Sequence, residues 1–119
     1  MIIFRTYDED SKIDKVWYKS TNVVYSECHD NENALKDLMV VFSNGASYMY
    51  HGVDVNDYVM FVHGGIDGSN GRALNKFIKQ KKCEYEKLGT VDLTDLQKKL
   101  EQARAEAAAK KAVEANNEE

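Results

Sequence analysis

The residues best suited to chemistry begin with the stretch Gly64 to Arg72, which carries four glycines, Ser69, Asn70 and Arg72. Backbone N–H groups at a glycine-rich turn leading into a helix N-terminus form a natural anion cradle. Ser69 and Asn70 would add side-chain hydrogen bonds there, Gly71 would let the backbone approach, and Arg72 would pair with a phosphate bidentately. The stretch is not a P-loop, because no Gly-Lys-Ser/Thr follows at the required spacing. A plainer reading stands beside this one: Ser69 or Asn70 is a helix N-cap and the glycines make turns.

The second candidate is Tyr48-x-Tyr50. Alternation along a strand puts both rings on one face. On an open face they form a base-stacking platform of the kind single-strand binders use. Under a helix they are core residues. The third is the basic run Arg72, Lys76, Lys79, Lys81, Lys82 and Lys87, set against Glu84 and Glu86. It either tracks a phosphate backbone or forms a solvated helix face.

Other reactive side chains do not assemble. His29, His51 and His63 are isolated from one another, each beside a turn signal. No spacing pairs them with Ser69 or Cys83 as a nucleophile. Asp54 and Asp57 mark a helix start, where capping and the helix dipole account for acids. Two cysteines, Cys28 and Cys83, are too few for a disulfide framework or a zinc site. The expectation is therefore no catalytic residue, no metal and no cofactor, and so not an enzyme.

A chain of 119 residues has room for one domain, and an apolar fraction of 43% suits a folded one. A net charge of −4 disfavours tight non-specific binding to nucleic acid. The longest apolar run, Leu38 to Phe42, is far short of a membrane span. Charges follow Phe4 at once, so no signal peptide is expected and the location is expected to be cytoplasmic.

With no proline, the loops must be built from Gly, Asn, Asp and Ser. Val16–Tyr18 and Val23–Tyr25 read as strands bent at Thr21-Asn22, and Leu38–Phe42 as a central strand. Asn44-Gly45 predicts a tight hairpin with positive φ at both positions, returning through Ser47–Tyr50. A helix is expected from Val55 to Val62, capped by Asp54 and stopped at Gly64-Gly65. A second follows Asn70-Gly71 with Leu74, Phe77 and Ile78 inward. Cys83, Tyr85 and Leu88 suggest an edge strand. Leu93, Leu96 and Leu100 then form one apolar stripe on a last helix, expected to fray after about Ala109 with Asn116–Glu119 disordered. The fold class is α+β: a small antiparallel meander packed against two helices, plus a C-terminal helix. Residues 1–15 are expected as an N-terminal strand or extension, 16–88 as the domain, and 89–119 as the helix and tail.

The order Ser20-Thr21-Asn22, Leu38-x-Val40-x-Phe42, Gly45, Tyr48-x-Tyr50, Gly52-Val53, amphipathic helix, Ser69-x-Gly71-x-x-Leu74-Asn75-x-x-Ile78 resembles the KTSC family. That family includes stand-alone bacterial and phage proteins and C-terminal modules of some lysyl-tRNA synthetases. The resemblance implies an antiparallel sheet with covering helices. It also points to RNA or another nucleic acid as partner, with Asn75 of the motif added to the site, and the basic run adds Lys76. The chain's acidity shifts weight toward a smaller nucleotide. Two further expectations accompany this one. One is a phage accessory protein, in the host cytoplasm, that sequesters a cyclic-nucleotide defence signal as a homo-oligomer assembled through the C-terminal helix. The other is a protein-interaction adaptor using the sheet edge or the leucine stripe.

Overall fold

The computed structural model describes residues 2–20, 22–30, 35–64, 70–79 and 84–116, with backbone alone for Phe77 and residues 111–116. The elements are β1 (Ile2–Asp8), β2 (Ile13–Tyr18), β3 (Val23–Asp30), β4 (Lys36–Phe42), β5 (Ala46–Val53), α1 (Val55–Val62), α2 (Asn70–Phe77), β6 (Tyr85–Thr90) and α3 (Leu93–Asn116). The strands form one antiparallel meander in chain order, β1 to β6. The fold is α+β, as the residue pattern predicts.

Local chemistry sets the turns. Asp8 Oδ1 accepts from the N–H groups of Asp10 (2.9 Å) and Ser11 (3.3 Å), which folds β1 back onto β2. At the β4–β5 turn, Gly45 N–H donates to Phe42 O at 2.9 Å, so Ser43 and Asn44 are the central residues. Only Gly45 has positive φ there, at +89°. This corrects the expected two-residue turn. Asn44 instead accepts from Ala46 N–H through its side chain at 3.0 Å. Gly45 is required a second time by space, since a Cβ would lie 2.8 Å from Val91 O. Asp54 caps α1 by accepting from Asn56 N–H at 2.8 Å, and Gly64, at φ +79°, closes it.

Two cores lie on opposite faces of the sheet. On one, Val16, Tyr18, Leu38, Val40 and Tyr50 pack under Tyr58, Phe61 and Val62 of α1 and Leu74 of α2, with Ile78 just beyond α2. On the other, Trp17, Tyr25 and Val41 pack under Leu96 and Leu100 of α3. Coverage of both faces explains why Trp17-Tyr18 and Val40-Val41 are apolar without alternation.

The second core changes the expectation for the C-terminal helix. Leu96 and Leu100 are only 6% and 4% exposed, buried against the chain's own sheet. Trp17 Nε1 donates to Leu96 O at 3.3 Å and fixes the docking. Two of the three leucines of the stripe are therefore already occupied, while Leu93 stays 39% exposed. The helix also runs to Asn116 rather than fraying near Ala109, in keeping with the high propensity of its Ala, Glu and Lys. The expected disorder of residues 117–119 lies outside the described residues. No helix among the described residues is long and apolar enough to cross a membrane.

Candidate ligand cleft

Among the described residues, the helices leave one end of their sheet face open. Tyr48 and Tyr50 alternate onto that face from β5, and register places Tyr85 of β6 opposite Tyr50 and Lys87 opposite Tyr48. The three rings cluster with centroids 6.0 to 6.5 Å apart. Phe42 of β4 meets Tyr48 edge-on at 5.7 Å. Lys79, just past α2, holds its Nζ 5.2 Å from the Phe42 ring centroid, a cation–π distance.

Together these residues line a cleft of about 710 Å³, whose described walls are Phe42, Asn44, Ala46, Tyr48, Tyr50, Lys79 and Tyr85. Tyr50 is buried at 4% exposure, whereas Tyr85 is 67% exposed. Burial, reinforced by the neighbouring phenols of Tyr48 and Tyr85, pushes the Tyr50 hydroxyl up to about 12. It therefore stays protonated at neutral pH and can donate a hydrogen bond. The cleft offers flat aromatic surface, phenolic hydroxyls and an ammonium group. It can bind a planar, anion-bearing molecule.

The other residues expected in the site have separate placements. Asn70 is fully buried, and its Nδ2 donates to Phe61 O (2.8 Å) and Val62 O (3.0 Å). It satisfies carbonyls at the end of α1 and ties α2 to it, which is a structural use of its amide. Gly71 packs closely on Asn22, whose exposed side chain would have to shift for a Cβ that would lie 2.8 Å from its Nδ2. Arg72, Asn75 and Lys76 are exposed along α2 and are not among the described walls of the cleft. Ser69 and the loop from Gly65 lie outside the described residues, as do Lys81, Lys82 and Cys83.

Sequence reasoning missed Tyr85, Phe42 and Lys79 as cleft walls. The alternation of β6 was the available signal for Tyr85, but its register against β5 was not in the local sequence.

At the far end of the same sheet face the polar groups are closed. Asp14, 7% exposed, receives Arg5 Nε at 2.9 Å, Arg5 Nη2 at 2.6 Å and Tyr58 OH at 2.6 Å. Tyr18 OH and Ser26 Oγ are 2.7 Å apart. Burial drives the phenols of Tyr18 and Tyr58 far above their ordinary range, and pushes the Cys28 thiol up to about 12. A protonated, enclosed thiol is unsuited to nucleophilic work.

His51 sits on the opposite face, with Nδ1 3.3 Å from Asp37 Oδ1 and Nε2 3.2 Å from Glu86 Oε1. Those two carboxylates raise its pKa, the Glu86 hydrogen bond most. No protein-family model, curated protein or solved structure matches the chain.

Proposed function

We propose that this chain is a non-catalytic, KTSC-like binding module for a phosphate-bearing nucleotide, whose base rests in the tyrosine cleft. The observation that carries this reading is the cluster of Tyr48 and Tyr85 around the buried Tyr50, beside the Lys79 ammonium. Aromatic stacking contributes about 1–3 kcal/mol per base and tolerates any base. Lys79 supplies the charge for an adjacent phosphate, and Arg72 and Lys76 add positive potential along α2. The cleft volume, about 710 Å³, falls within the range of small-molecule pockets. With a net charge of −4, a small nucleotide is favoured over a long strand of RNA or DNA. A phage protein that sequesters a cyclic-nucleotide defence signal is one form of this reading. The adaptor reading keeps the β6 sheet edge and the exposed Leu93, since only Leu96 and Leu100 of the leucine stripe are buried.

The test is mass spectrometry of small molecules released from natively purified protein, with thermal shifts across a nucleotide panel. A nucleotide in the extract, or stabilisation by at least one panel member that Tyr85→Ala abolishes, is the expected result. Stabilisation that survives Tyr85→Ala unchanged would remove the cleft from the proposal. Affinity that falls steeply with salt would indicate a strand, and a shallow dependence a pocketed nucleotide.

A further inference from the structure

We propose that His51 is a positioning residue for the cleft: its doubly protonated ring bridges Asp37 and Glu86 across three strands and so holds Tyr85 in place. The inference rests on the nucleotide reading of the cleft and adds a regulator to it.

Both contacts are hydrogen bonds at once only when both ring nitrogens carry protons. A neutral imidazole has one N–H and one lone pair, so it can satisfy only one of two flanking carboxylates. Here both nitrogens face carboxylate oxygens, at 3.3 Å on Asp37 and 3.2 Å on Glu86. Among the described residues, the charged or titratable groups on this face around His51 are Asp37 from β4, His29 of β3 opposite Asp37 in register, and Glu84 and Glu86 from the β6 side; Lys79 and Lys87 belong to the cleft face.

The bridge acts where β6 is least supported. β6 is an edge strand paired with β5 alone. Its far end is tied down, since Ser47 Oγ donates to Gly89 O at 3.1 Å and Val91 N–H donates to Gly45 O at 2.7 Å. At its near end His51 N–H donates to Glu84 O at 2.7 Å, and the His51–Glu86 contact adds a side-chain tie there. His51 follows Tyr50 and Glu86 follows Tyr85, so the bridge grips the row that carries two cleft tyrosines, from behind the sheet. Loss of a ring proton releases one carboxylate and loosens Tyr85, whose ring is 67% exposed.

The probe is the dinucleotide ApA, whose phosphodiester does not titrate across the range used. From about pH 8.5 to about pH 5.5 the wild type should bind ApA roughly two- to fivefold tighter, the range of one exposed ion pair. His51→Arg keeps a permanent cation facing both carboxylates, so it should bind at the tight level with no pH dependence. His51→Gln should bind at the weak level, also without pH dependence. In parallel, hydrogen-exchange protection factors for β6 amides of the unliganded protein should rise as the His51 ring protonates, and should be flat in His51→Arg. A wild type and His51→Arg with the same pH profile, or β6 protection indifferent to His51 ionisation, would overturn the proposal. If ApA fails to bind at any pH, the nucleotide reading suffers, and the ligand-free protection factors still decide the role of His51.

Discussion

Five tyrosines share one face of this sheet or the helix above it, and they divide into two groups with opposite fates. Tyr18 and Tyr58 lie in the closed core, with hydroxyls bonded to Ser26 and Asp14. Tyr48 and Tyr85 stand at the other end and line a cleft, with Tyr50, itself only 4% exposed, where the core meets it. The residue type is the same, so coverage separates them. A sheet of six strands is about 24 Å wide. An eight-residue helix is only about 12 Å long and about 10 Å across. Among the described residues, two such helices, α1 and α2, leave part of the face uncovered, and Tyr48 and Tyr85 stand there. Identical chemistry becomes structure where a helix reaches it and a candidate site where none does.

That division can be broken from the closed end with the largest effect. Asp14→Ala leaves Arg5 without its partner and the Tyr58 hydroxyl buried without an acceptor. It should cost about 3 kcal/mol in denaturant unfolding. Tyr58→Phe removes only the hydroxyl and its charge-assisted bond, and should cost about 1.5–2 kcal/mol. At the open end the pattern should invert. Tyr85→Ala should change stability by less than about 0.5 kcal/mol, because the ring is mostly exposed. The same substitution should weaken nucleotide binding about tenfold by titration calorimetry, in line with one lost stacking partner. A Tyr85→Ala that unfolds the protein, or a Tyr58→Phe that is neutral, would dissolve the distinction.

The smallest effect is the pH dependence from His51. Its folded pKa lies above the ordinary 6.5, so its contribution is present below about pH 6.5 and is lost as pH rises through the raised value. The groups are exposed, so the change should be about 0.3–0.5 kcal/mol in chemical denaturation. It should vanish in Glu86→Gln combined with Asp37→Asn.

Much of the fold is legible in short windows. Asp54 before Val55, Gly64 after Val62 and Gly45 after Asn44 announce where elements begin and end, because capping and positive φ are local events. The β4–β5 turn shows the limit of that legibility. Asn44-Gly45 locates the turn, but the 2.7 Å bond from Val91 N–H to Gly45 O joins residues far apart in sequence. Of the candidate site, Tyr48 and Tyr50 are legible as a same-face pair. Asn70 is visible as a polar residue at a helix start, yet its burial on α1 carbonyls depends on how α1 and α2 meet.

By itself, then, the sequence determined the kinds of elements, their order and the antiparallel meander, since these follow from periodicity, capping and turn chemistry within a few residues. The tertiary structure alone decided where the leucine stripe docks, which of the tyrosines are covered, and that Tyr85 stands opposite Tyr50. Those outcomes depend on the register of strands more than thirty residues apart and on the reach of two short helices. Neither quantity is encoded in any local window.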